Sequence, residues 1–133
     1  MEAAPGCPMI DHLSLGVSDL ARATAFYDAV LRPLGHVRSW TGDRGAEYGP
    51  AGGQGAFALF HTGARAAPPG AGFHVALAAR NRAAVDAFHA AALEHGALDE
   101  GGPGLRPQYG PGYYAAFVRD PDGNRLEAVV HEE

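Results

Sequence analysis

The segment DHLSLGVSDLARATAFYDAVL, residues 11–31, indicates the architecture of the chain, because a related segment recurs later in it. A shift of 62 positions aligns it with FHVALAARNRAAVDAFHAAAL, residues 73–93, without a gap. His12 then coincides with His74 near the start of each copy. Because one register holds for about twenty residues, the repeat indicates a duplicated structural unit rather than a shared composition.

The first copy extends to a module covering residues 9–62. Alternating apolar residues predict a strand at 10–17. A helix of about fourteen residues is predicted to begin after the N-cap Asp19 and to end before Pro33. Three short strands are then predicted, at residues 36–40, 45–49 and 56–61, with glycine-rich turns between them.

The second module covers residues 72–131 and predicts the same order. A strand at 72–79 precedes a helix from Asn81 to His95, and the last strands are predicted at 105–109, 113–119 and 125–131. The sequence DPDG at 120–123 is a strong turn between the final two strands. The predicted fold is α+β in a single domain over residues 1–133: two βαβββ modules forming a curved eight-stranded mixed sheet with helices behind it.

Composition narrows the classes of function. The 133-residue chain has a net charge of −5, and all ten of its basic residues are Arg. The negative charge gives no basis for binding nucleic acid or an acidic membrane, and the lack of Lys excludes a Schiff base on the chain's own side chains. Cys7 is the single cysteine, which excludes an internal disulfide. With no signal segment and no apolar run of membrane length, we expect a cytoplasmic protein.

Strand alternation brings three metal-ligating residue types to one side of the predicted sheet. Apolar neighbours pack on the helices, so His12 and His74 face the opposite, concave side. Glu127 on the last strand shares that side by the same alternation. Two imidazoles and one carboxylate suit a divalent ion of Fe, Mn, Zn, Ni or Co, and they leave coordination positions open for substrate. The sequence therefore predicts a metal site at His12, His74 and Glu127.

Several of these segments resemble the vicinal oxygen chelate superfamily, which includes glyoxalase I, extradiol dioxygenases, fosfomycin-modifying enzymes and bleomycin resistance proteins. The resemblance rests on residues 11–20, Phe26-Tyr27, residues 73–77 and, most specifically, residues 120–127. It implies paired βαβββ modules, metal ligands at His12, His74 and Glu127, and a homodimer. It also implies a metal that is chelated by adjacent oxygens of the substrate and stabilises negative charge on them.

Three departures separate the chain from particular members of that superfamily. Ala58 stands where glyoxalase I carries a fourth ligand, a glutamate on the last strand of the first half. Phe117 stands ten residues before Glu127, where extradiol dioxygenases and the thiol-adding fosfomycin enzymes place a tyrosine. The chain also lacks the lysine of the fosfomycin enzymes. Because consecutive residues of a strand alternate between its two faces, Glu47 is predicted to point away from the side that Tyr48 faces.

Strand alternation also predicts which side chains line a substrate pocket around the metal. Tyr113 shares the face of Phe117, so its hydroxyl is the predicted catalytic group. The other predicted pocket residues are Ser14, Tyr48, Phe117, Val129 and His131.

These residues predict a divalent-metal-dependent enzyme that acts on a small oxygenated metabolite. The reaction is a lyase or isomerase type or a dioxygenation, and the residues do not choose between them. The alternatives are a non-catalytic protein that binds or sequesters a small molecule, and a metalloprotein that only binds a ligand. Whether the two modules close within one chain or swap between chains also stays open.

Overall fold

The computed structural model describes residues 8–132 and confirms two βαβββ modules. The first contains β1 (Leu13–Val17), α1 (Leu20–Leu31), β2 (His36–Gly42), β3 (Gly45–Pro50) and β4 (Phe57–His61). The second contains β5 (Val75–Ala78), α2 (Arg82–Glu94), β6 (Leu98–Leu105), β7 (Tyr113–Arg119) and β8 (Arg125–His131). Their sheets have the matching orders β1-β4-β3-β2 and β5-β8-β7-β6. Cys7 lies outside the described residues.

One strand differs from the sequence-based expectation. The strand predicted at 105–109 runs from Leu98 to Leu105, and Pro107–Tyr109 forms a short 3-10 turn. Proline has no N–H to donate to a strand partner, so the ladder ends before Pro107. The glycines at 101, 102 and 104 weaken the strand pattern of residues 98–105, which explains why that segment was not predicted.

The helix starts follow from local sequence. Asp19 accepts a hydrogen bond from the Arg22 N–H at 3.0 Å, and Asn81 accepts one from the Ala84 N–H at 2.8 Å. Each satisfies a backbone donor that has no partner within its helix. This confirms the two predicted N-caps. Neither helix in residues 8–132 has the length and apolar character that a membrane span requires.

The two helices lie between the two sheets and pack against each other. Apolar residues of both modules form one continuous core, which includes Phe26 and Tyr27 of α1 and Val85 and Phe88 of α2. Each sheet therefore has an inner face against the helices and an outer face turned away from them. Within residues 8–132 no strand of one sheet pairs with a strand of the other, and β1 and β5 are edge strands.

A buried polar contact joins the first module to the turn between β7 and β8. The hydroxyl of Tyr27 donates to Asp120 Oδ2 at 2.6 Å, and Asp120 is 3% exposed. Burial and the nearby Asp120 carboxylate raise the pKa of Tyr27 well above its ordinary value. Close by, the Ser18 hydroxyl donates to Asp122 Oδ1 at 2.6 Å. These contacts hold the modules with their helices together and their outer faces apart.

Candidate metal centre and ligand cavity

Glu127 is the centre of the candidate site. Its side chain is 2% exposed, and His74 Nε2 lies 3.0 Å from its Oε1 atom. The Tyr113 hydroxyl donates a short hydrogen bond to its Oε2 atom. A buried carboxylate is costly unless its charge and lone pairs are compensated. Here both oxygens contact groups that a metal-binding site also uses, an imidazole and a phenol.

Strand register explains why these three side chains meet. Glu127 pairs with Ala76 of β5 and with Phe117 of β7. His74 lies two positions before Ala76, and Tyr113 lies four positions before Phe117, so each shares the face of the residue that pairs with Glu127. The outer face of the second sheet therefore gathers the three groups.

Tyr113 is held as a hydrogen-bond donor. Burial first, and then the hydrogen bond to Glu127 and the charge of that carboxylate, raise the pKa of Tyr113 to about 12. Its ring lies between Tyr109, at a centroid distance of 5.3 Å, and His131, at 5.0 Å. The phenol therefore keeps its proton near neutral pH and fixes the orientation of the Glu127 carboxylate.

A cavity of about 590 Å³ opens over these groups. His74, Tyr113, Phe117 and Glu127 line it, together with Phe73, Tyr109, Glu100 and Arg125. Glu100 is already engaged, because Arg119 Nε lies 2.6 Å and Arg125 Nε lies 3.6 Å from its Oε1 atom. The wall is thus largely aromatic, and every residue that lines it belongs to the second module.

His12 does not join this group within one chain. It lies just before β1, its side chain is 66% exposed, and its Nδ1 atom is 2.6 Å from Asp11 Oδ1. In the part of the chain that the structure describes, no three His, Cys, Asp or Glu side chains lie close enough to hold one metal ion. The reason is that the helices lie between the two sheets. The outer face of the first sheet, whose strand β1 begins directly after His12, is therefore separated from the outer face that carries His74 and Glu127.

The other predicted pocket residues fall into three groups. Phe117 lines the cavity, and the Arg106 guanidinium lies 5.4 Å from the centre of its ring. Val129 and His131 share the face of Glu127 on β8, but they do not line the cavity. Ser14 is exposed on the first module, where it pairs with Ala58.

Tyr48 lies in the core, which corrects its assignment to the pocket. It is 1% exposed, and its hydroxyl donates to Asp28 Oδ1 at 2.8 Å. Burial, followed by that hydrogen bond, raises the pKa of Tyr48. Tyr48 pairs with Phe57, another core residue, so its side chain points toward α1 and away from the outer face.

Glu47, and not Tyr48, is the counterpart in the first module of Phe117 in the second. It pairs with Ala58, as Phe117 pairs with Glu127. Glu47 precedes Ala58 by 11 positions and Phe117 precedes Glu127 by 10, so the first module has one more residue between these strands. A change of one residue exchanges the two faces of a strand. Glu47 does lie on the face opposite to Tyr48, as predicted, but it is Glu47 and not Tyr48 that occupies the outer face.

Sequence reasoning missed several cavity residues, among them Phe73, Glu100, Tyr109 and Arg125. Phe73 adjoins His74 and could have been inferred from that neighbour. Tyr109 and Glu100 depend on the position of β6, which was misplaced, and no sequence pattern separates Arg125 from an ordinary surface arginine.

The sequence and the fold are both similar to those of one family of known proteins. A family model described as Glyoxalase/Bleomycin resistance protein/Dioxygenase superfamily matches residues 9–128. The chain belongs to this superfamily. Proteins of the superfamily bind small molecules, generally use a divalent metal ion, and commonly form dimers. Among proteins of curated function, none matches this sequence.

Solved structures of the superfamily share the fold. A glyoxalase/bleomycin resistance protein from Albidiferax ferrireducens T118 is 34% identical with a TM-score of 0.78, and the match covers 92% of this chain and 98% of that one. A putative glyoxalase from Bacillus halodurans is 26% identical with a TM-score of 0.66, covering 91% and 94%. The fosfomycin resistance protein FosX from Listeria monocytogenes is 16% identical with a TM-score of 0.67, covering 92% and 93%, and supports the fold alone.

Proposed function

We propose that this protein is a divalent-metal-dependent enzyme acting on a small oxygenated metabolite, by a lyase, isomerase or dioxygenase reaction. The observation that carries the proposal is the buried Glu127 carboxylate, with His74 on one oxygen and Tyr113 on the other, at an aromatic cavity. The metal ligands in this proposal are His74, Glu127 and His12.

The donor chemistry fits a first-row divalent ion. A second imidazole added to His74 and Glu127 gives a two-histidine, one-carboxylate set, which suits Fe, Mn, Zn, Ni or Co and leaves open positions. Glu127 makes no ion pair with an arginine among the described residues, and its side-chain contacts are the His74 imidazole and the Tyr113 hydroxyl. A cation there would lower the cost of burying the carboxylate.

The second imidazole comes, in this proposal, from another copy of the chain. His12 and His74 each precede an edge strand, β1 and β5, whose outer backbone groups are free to pair. If β1 of one subunit lies along β5 of a second subunit, their outer faces join and His12 approaches His74. A homodimer with this arrangement has two equivalent sites, as two-fold symmetry requires.

The residues of the chain then have distinct tasks. The metal, when bound, supplies Lewis-acid stabilisation of negative charge on adjacent substrate oxygens. Tyr113 holds Glu127 in one orientation through Oε2, which leaves Oε1 and the imidazoles for the metal. Phe117 and Tyr109 bind the apolar part of the substrate and exclude water from the reacting oxygens.

A second candidate function is non-catalytic binding or sequestration of a small molecule. The observation in its favour is that the cavity of about 590 Å³ is lined entirely by one module and does not depend on a metal for its walls. Cavities of this size and aromatic character bind organic ligands in many proteins.

Metal binding separates the two functions. Protein purified without chelator is dialysed against cobalt(II) or zinc(II), and bound metal is measured by elemental analysis. We expect about one ion per chain in the wild type and a loss of about 100-fold or more in affinity for His74→Ala. The control is His95→Ala, which removes an exposed imidazole at the end of α2 and should bind metal normally. Equal binding by wild type and His74→Ala contradicts the proposed enzyme, and metal-free ligand binding favours sequestration.

A further inference from the structure

A second, smaller cavity of about 140 Å³ adjoins the cavity over Glu127. Phe73 and Arg125 line both cavities, so the two are neighbouring parts of one cleft on the outer face of the second sheet. The walls of the smaller cavity come from residues 68–71, which belong to the connection between the modules, and from the end of β7 and the start of β8. The cleft therefore extends from Glu127 to the connection between the modules.

The wall from the connecting segment is apolar and is held against the second sheet. Pro68 packs on the turn between β7 and β8, since a Cβ added to Gly123 would lie 3.5 Å from Pro68 Cγ. Pro68 and Pro69 also have no N–H to offer a ligand, and their rings restrict the backbone. The side chains that can recognise a polar group in the smaller cavity are therefore those of Arg119 and Arg125.

These two arginines form a cluster with an excess of positive charge. They are directly paired across β7 and β8, and like charges in this relation repel each other. Glu100 contacts both, since its Oε1 atom lies 2.6 Å from Arg119 Nε and 3.6 Å from Arg125 Nε. One carboxylate between two guanidinium groups leaves the cluster with a net charge of +1.

Arg125 is the arginine that is available to a ligand. Within residues 8–132 its guanidinium donates no hydrogen bond, whereas Arg119 donates one to Glu100, and the Arg125 side chain is 51% exposed. A guanidinium presents its N–H donors as a planar fork that matches the oxygens of a carboxylate. Arg125 precedes Glu127 by two positions on β8, which separates them by about 7 Å along the strand. The body of a small molecule fits between these two groups.

We propose that Arg125, with Arg119 beside it, forms an anion-binding subsite, and that the ligand of this protein is a small organic acid. The ligand carboxylate binds Arg125, and the apolar or aromatic body contacts Phe73 and Phe117 in the larger cavity. A single carboxylate matches the net charge of the cluster, whereas a phosphate monoester carries nearly twice that charge. This proposal rests on the proposed function for the reaction of the ligand, and on the two cavities alone for its charge.

An acid and its amide test the subsite in protein from which metal has been removed by chelator. Phenylacetate and phenylacetamide have the same body and differ in charge, and titration calorimetry at low salt measures the affinity of each. The wild type should bind the acid about tenfold more tightly than the amide. Arg125→Gln should abolish this preference by weakening the binding of the acid alone. Arg32→Gln, which removes an exposed guanidinium at the end of α1, is the matched control and should retain the preference.

Glu100→Gln should produce a change of the opposite sign. This variant removes the carboxylate that competes with the ligand for the two guanidinium groups. The acid should therefore bind about threefold more tightly or more, because a nearby negative charge is gone. The affinity for the amide should stay the same. A variant that only disturbed the cavity would weaken the binding of both molecules, so this increase separates recognition of charge from damage to the fold.

The outcomes are distinguishable. Equal binding of acid and amide by the wild type overturns the anion-binding subsite, and a preference that persists in Arg125→Gln overturns the role of Arg125. A wild type that binds neither molecule overturns the proposed ligand class, and tighter binding of phenyl phosphate than of phenylacetate overturns the choice of a carboxylate. A wild type that binds no zinc on dialysis but prefers the acid overturns the proposed enzyme and supports the subsite.

Discussion

Two variants that each lack one metal ligand should together form one complete metal site when they are combined in one dimer. His12→Ala removes the ligand of the first module, and Glu127→Gln removes a ligand of the second. In a mixed dimer, one site receives His12 from the Glu127→Gln subunit, and His74 and Glu127 from the His12→Ala subunit. The other site retains only His74. Each mixed dimer therefore carries one complete site, which neither parent variant has.

The expected magnitude follows from the two-fold arrangement. Random pairing of equal amounts makes about half of the dimers mixed, and each mixed dimer has one complete site of two. Metal content should therefore rise to about a quarter of the wild-type value, against almost none in either variant alone. The variants are mixed in denaturant and refolded together, and bound cobalt is measured after dialysis.

A matched mixture excludes a general effect of refolding. Glu127→Gln combined with His74→Ala places both lesions in the second module, so every site in every dimer lacks a ligand. This mixture should show no recovery. If the mixture of His12→Ala and Glu127→Gln binds only the average of its two components, the site is not shared between subunits and the reasoning from the separated outer faces is refuted.

Three further predictions concern single groups. Tyr113→Phe removes the donor to Glu127 Oε2 and should weaken metal binding by about tenfold to 100-fold, measured by competition with a chromophoric chelator. Asp120→Ala leaves the buried Tyr27 hydroxyl and backbone donors of the turn unpaired, and should lower the free energy of unfolding in urea by about 3 kcal/mol or more. The hydrogen bond from His89 lowers the pKa of Asp99, so its contribution to stability is complete above the ordinary value of 3.8 and is lost as pH falls through the lower folded value. Asp99→Asn should flatten that part of the stability profile.

Each of these predictions has a contradicting result. Wild-type metal affinity in Tyr113→Phe would show that the phenol does not orient the carboxylate. An Asp120→Ala loss no larger than that of Asp43→Ala, at an exposed turn, would show that the buried contact between modules adds little. An unchanged acid limb of the stability profile in Asp99→Asn would show that the contact with His89 does not contribute.

Most of the fold could be predicted because its signals are local. The N-caps Asp19 and Asn81, and the alternation of β1 and β5, depend on residues within a few positions of one another. The duplication then reveals that the two modules share one architecture. By contrast β6 was misplaced, since its glycines carry no periodic signal and the strand was predicted at residues 105–109 instead.

The candidate site was predicted in part, and the limits have a physical cause. His74, Tyr113 and Glu127 meet because they lie on neighbouring strands of one module. The assignment of Tyr48 failed because one additional residue between β3 and β4 exchanges the faces of β3. Alternation within a single strand does not show how many residues connect it to the next strand. It therefore cannot decide which residues of the two strands pair.

The two modules, their helix caps and the equivalent places of His12 and His74 could be predicted from the order of the amino acids, since each follows from a short-range pattern or from the repeat. The folded chain was needed to show that Glu47 rather than Tyr48 occupies the outer face, and that His12 lies apart from Glu127 within one chain. The connection between β3 and β4 sets the face of Glu47, and the packing of α1 against α2 sets the relative placement of the modules, which separates His12 from Glu127. That packing depends on the fit of the whole core, which no single segment specifies.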